Sequence, residues 1–90
     1  MTHIDGILKE RGQNYGNYFD HATLTQNIKR AMRSTNQFDL LDDDMQETCD
    51  MLAHKLGRII NGDKYYLDSW DDMIGYVQLI IDRIREGKLT

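Results

Sequence analysis

Ninety residues, 40% of them apolar, 29% charged and none of them proline, suffice for one small domain and exclude a two-domain enzyme. Eleven Lys and Arg against fifteen Asp and Glu leave a net charge of −4, which repels a polyphosphate backbone and argues against non-specific DNA or RNA binding. Cys49 has no second cysteine to pair with, the opening Met1-Thr2-His3-Ile4-Asp5 lacks a secretory signal, and runs such as Leu79-Ile80-Ile81 are far too short to cross a membrane, so a cytoplasmic, soluble protein is expected.

The spacing of the apolar residues predicts an all-α fold. It is a single helical domain over residues 1–90, a compact antiparallel bundle of three main helices plus a short N-terminal helix. The N-terminal helix covers Thr2 to about Glu10, with Ile4, Ile7 and Leu8 at helical spacing, and ends near Gly12. Arg11 to Gly16 reads as a loop, because Gly12, Gly16 and Asn14 tolerate positive φ. A helix follows from about Tyr18 to Ser34 with a narrow stripe of Phe19, Leu24, Ile28 and Met32, after which Phe38, Leu40 and Leu41 fold back as a lid.

The next helix begins near Asp43. Asp42, Asp43 and Asp44 meet its exposed N–H groups, and Glu47 stands three residues after Asp44 at capping-box spacing. Met45, Cys49, Leu52, Leu56 and Ile59 make its apolar seam before Asn61-Gly62 stops it. The last helix runs from about Leu67 to Glu86, with Trp70, Ile74, Val77, Ile81 and Ile84 repeating that seam and Gly87 as the stop. Two such seams joined by a short loop predict an antiparallel hairpin.

Opposite the Met45–Ile59 seam, Asp43, Glu47, Asp50 and His54 fall in one stripe. Glu47 and Asp50 are candidate ligands for a hard cation such as Mg²⁺, and Asp68 and Asp72 on the last helix would complete an acidic metal cluster. The alternative reading is a solvated face, with Asp68, Asp71 and Asp72 serving the helix dipole. Gly75, within a helix it weakens, marks a place of close approach, and with Tyr76 and Leu79 it predicts a second contact surface. Met73, Tyr76, Leu79 and Ile80 also leave the last helix apolar around more than half its circumference, for which a homo-oligomer is the simplest remedy.

The candidate phosphate ligands are Arg11, Lys55 and Arg58, with Tyr15, Tyr65 or Tyr66 to stack on a base; equally, Lys55 and Arg58 would pair with Asp68 or Asp72 over a packed core. His3, His21 and His54 have no zinc spacing, and Cys49 lies on the seam, so neither a zinc site nor a cysteine nucleophile is supported.

Arg11-x-x-x-Tyr15-Gly16, then Lys55-x-x-Arg58, then Asp68-x-x-x-Asp72-x-x-Gly75-Tyr76 resembles, over nearly the whole chain, a family of small helical proteins encoded by bacteriophages and prophages. That family brings no activity with it. Asp43-Asp44-x-x-Glu47-x-x-Asp50 and Asp68-x-x-Asp71 are also similar, more loosely, to the E-E-x-x-E and E-x-x-D motifs around Mg²⁺ in all-α nucleoside triphosphate pyrophosphohydrolases of the MazG type. Aspartates replace most of the glutamates and the spacing is looser.

The expectation is a protein that binds a phosphorylated nucleotide, either hydrolysing it with Mg²⁺ or sequestering a host nucleotide signal. Arg11, Tyr15, Lys55, Arg58 and Tyr76 would hold the ligand, and Glu47, Asp50, Asp68 and Asp72 the metal. The alternative is an inhibitor without catalysis that docks on a host defence protein through an acidic and apolar helical surface.

Overall fold

A computed structural model describes residues 15–87 and places three α-helices in them: α1 (Tyr18–Met32), α2 (Asp43–Asn61) and α3 (Leu67–Arg85), with a single 3₁₀ turn at Phe38–Leu40. The predicted N-terminal helix and Arg11 lie outside the described residues. Among the described residues there is no strand, and no helix is long and apolar enough to cross a membrane.

Local chemistry sets the ends. Asn17 caps α1, its side-chain carbonyl accepting from Asp20 N–H at 3.1 Å. Gly16 has φ +80°, and a Cβ there would run into the Asn61 carbonyl, so both the backbone and the close approach require glycine. Gly62 N–H donates to the Arg58 carbonyl at the end of α2, and Gly87, at φ +70°, donates to the Ile84 carbonyl after α3. The predicted capping box at Asp44 and Glu47 does not form. Asp42 is the N-cap without a side-chain cap bond, and Asp42 and Asp44 instead accept from Arg83, joining the start of α2 to the end of α3.

Helix α2 is central, with α1 packed on one side and α3, antiparallel, on the other. The face it offers α1 is polar. Asp50 takes a bidentate contact from Arg33 at 2.7 and 2.8 Å, His54 meets His21, Gly57 lies under His21 and Thr25, and Asn61 donates to the Asn17 carbonyl. These positions continue the stripe predicted to lie opposite the core, so Asp50 and His54 are interface residues. On α1, correspondingly, His21 and Thr25 are buried while Phe19 of the predicted apolar stripe is 76% exposed. Of the lid, Phe38 alone is buried, with Arg33 stacked 4.2 Å from its ring centroid, and Leu40 faces solvent.

The rotation of α3 also departs from expectation. Its α2-facing side is Ser69, Met73, Tyr76, Ile80 and Arg83, fixed by the Lys55–Asp72 and Asp44–Arg83 ion pairs. The predicted seam lies one residue, about 100°, around the helix. Ile74 is therefore 67% exposed, Ile84 58% and Trp70 46%. Periodicity favours the wholly apolar outward stripe, and the ion pairs instead turn the neighbouring, partly polar stripe toward α2. On α2 the tightest positions are Ala53, Lys55, Gly57 and Ile59, whereas Met45, Cys49, Leu52 and Leu56 of the predicted seam are half-buried.

Candidate functional site

The last two turns of α2, the start of α3 and the chain entering α1 meet at one end of the hairpin. Arg58 projects its guanidinium over the ring of Tyr15, 4.3 Å from the centroid, and Tyr66 meets Tyr15 edge to face at 5.7 Å. The neighbouring Tyr15 hydroxyl and the Asp68 carboxylate hold the Tyr66 phenol above its ordinary pKa. A planar cation stacked on one tyrosine, with a second tyrosine against that ring, suits an aromatic base with an anionic group attached, because the rings offer π faces and the guanidinium five donors.

One turn back on α2, Lys55 is buried, its ammonium 2.6 Å from the Asp72 carboxylate on α3. Its charge is thereby committed to Asp72, the alternative the sequence left open, and its stem is packed against the core. Tyr76, one turn beyond Asp72, is half-buried on the α2-facing side. Of the expected ligand residues, Tyr15 and Arg58 are thus in direct contact, Lys55 adjoins Arg58 through the helix, and Arg11 is outside the described residues.

The four carboxylates expected to bind Mg²⁺ are not brought together. Asp50 is clamped by Arg33, the C-cap residue of α1, which holds its carboxyl below the ordinary range. Asp72 is held by Lys55 of α2, while Glu47 and Asp68 are exposed at opposite ends of the hairpin. Among the described residues, no three His, Cys, Asp or Glu side chains group as metal ligands. Among the described residues, these four acids do not form one divalent cation site.

A pair of histidines adjoins Arg58, unsignalled by spacing because its members sit on different helices. His21 Nε2 lies 3.3 Å from His54 Nδ1, a hydrogen bond that needs at least one neutral ring. Burial, then the Arg58 charge, pushes His54 down to about 4, and burial likewise lowers His21. His21 Nδ1 and Thr25 Oγ1 are buried without a hydrogen-bond partner.

The chain matches no protein-family profile, no curated protein and no solved structure, so its chemistry is read from these side chains alone.

Proposed function

We propose that the protein binds a phosphorylated nucleotide at the Tyr15–Arg58–Tyr66 cluster and holds it without cleaving it, as a sequestering protein of the kind a phage would direct at a host nucleotide signal. The observation that carries this reading is the Arg58 guanidinium stacked on Tyr15 beside Tyr66. Arg58 contacts the phosphate, and a tyrosine face takes the base. Lys55 acts through Asp72, which it orients. Sequestration is favoured over Mg²⁺-assisted hydrolysis because Asp50 and Asp72 are each engaged by a cation, and on different helices.

The test is a thermal-shift screen of a nucleotide panel, cyclic dinucleotides and common triphosphates included, with and without Mg²⁺, with chromatography of each stabilising compound. A shift with intact ligand, lost in Arg58→Ala, supports sequestration. A Mg²⁺-dependent shift with product overturns it in favour of a pyrophosphohydrolase. No shift across the panel removes the nucleotide reading, leaving the inhibitor that docks on a host protein, for which the exposed apolar side chains of α3 are the supporting observation.

A further inference from the structure

The outward stripe of α3 is a heptad-like seam with no partner among the described residues. Trp70, Ile74, Val77, Ile81 and Ile84 follow one another at steps of four and three, and all but the half-buried Ile81 are exposed, from 38% at Val77 to 67% at Ile74. Trp70 has its one polar group satisfied, the indole N–H donating to the Lys64 carbonyl at 2.9 Å, so it presents only apolar ring. Along this stripe runs an open groove of about 420 Å³, lined by Trp70, Met73, Ile74, Val77, Gln78 and Ile81, with Leu52 of α2 as its far wall. The hairpin therefore turns apolar residues of both helices to one side, as half of a four-helix bundle does.

We propose that this face is covered by a second copy of the chain, α3 lying antiparallel on the partner's α3 across a two-fold axis near Val77 and Gln78. Charge selects that occupant and that direction. The polar rim of the stripe is Asp71, Gln78 and Arg85, spaced by sevens and all exposed. An antiparallel mate sets Asp71 across from the partner's Arg85, and symmetry repeats the pair, with Gln78 at the centre. A parallel mate would set Asp71 on the partner's Asp71 and Arg85 on the partner's Arg85. In the antiparallel register Ile74 faces the partner's Ile81, and Trp70 the partner's Ile84.

The area is adequate. The exposed fractions leave on the order of 500 Å² of apolar side chain on the stripe, and the rim brings it near the roughly 800 Å² per partner of a standard interface. An apolar centre inside a polar rim is the usual anatomy of such a contact. This inference stands apart from the nucleotide reading, since the Tyr15–Arg58–Tyr66 cluster contributes nothing to the stripe.

Sedimentation equilibrium of the full chain decides it, with a mass of about 21 kDa expected, twice the 10.6 kDa chain. Ile74→Glu is expected to weaken association at least 100-fold while leaving the far-UV helical signal intact, because Ile74 is mostly exposed in the protomer. Asp71→Arg and Arg85→Asp should each weaken it severalfold, and the double swap should restore it. A wild-type chain that stays monomeric at 100 µM assigns the face to another occupant and overturns the proposal. So does an Ile74→Glu chain that still dimerises, or a double swap no tighter than either single variant.

Discussion

Replacing Gly57 by alanine sets two known effects against each other, and the structure fixes which wins. In an exposed helix the added methyl would stabilise by up to about 1 kcal/mol through helix propensity. At Gly57 it would sit 2.5 Å from Thr25 Oγ1 and 2.9 Å from His21 Nδ1. Those side chains are 3% and 6% exposed, so neither can swing into solvent, and α1 must lift from α2. Overpacking of this kind costs about 1–3 kcal/mol, leaving a net destabilisation of about 1–2 kcal/mol. In a domain of this size that lowers the Tm by roughly 5–15 °C. The assay is thermal denaturation followed by circular dichroism, at one protein concentration for all variants, because the Tm of any chain that associates depends on concentration. Gly75→Ala is the matched control: its new methyl would meet no atom within 4 Å, so the same substitution should raise stability by up to about 1 kcal/mol. A Gly57→Ala chain as stable as Gly75→Ala would refute the close α1–α2 packing.

Two further outcomes are expected. Asp72→Asn strands the buried Lys55 ammonium and should cost about 1–2 kcal/mol in chemical denaturation, reduced from a fully buried pair because Asp72 is half exposed, whereas Lys55→Met, which removes the charge with its partner need, should cost less; the reverse order would contradict the burial of Lys55. Stability should also fall on acidification. Folding lowers His54 from 6.5 to about 4, so between these values the unfolded chain holds a proton that the folded chain lacks. That stability is complete above pH 6.5 and is lost as the pH falls toward 4; after discounting for partial exposure the loss is about 1 kcal/mol. His54→Gln should flatten this slope in urea unfolding, and an unchanged slope would contradict the assignment.

The helix boundaries were legible because glycine and aspartate mark them: Asp42 to Asp44 at the start of α2, Gly62 after it and Gly87 after α3. The facing of the helices was not. Apolar periodicity locates a core only where the interface is apolar, and α1 meets α2 through His21, Thr25, Asp50 and His54. On α3 the polar anchors Asp72 and Arg83 turn the less apolar of two stripes toward α2, and their partners on α2 are far away in sequence. A helical glycine does mark close approach in this chain, but at Gly57 and not at Gly75, which is open. At the candidate site, Tyr15 and Arg58 were recognisable as residue types, but their contact depends on the α1–α2 register, which no local pattern encodes.

Amide and histidine-ring NMR of the labelled chain, titrated with the nucleotide that stabilises it most, tests the binding reading most directly. The predicted result is shift changes concentrated at Tyr15, Arg58 and Tyr66, with the His54 pKa rising from about 4 as an anion arrives beside Arg58. Changes confined to the outer stripe of α3, or no changes with any nucleotide, would contradict it.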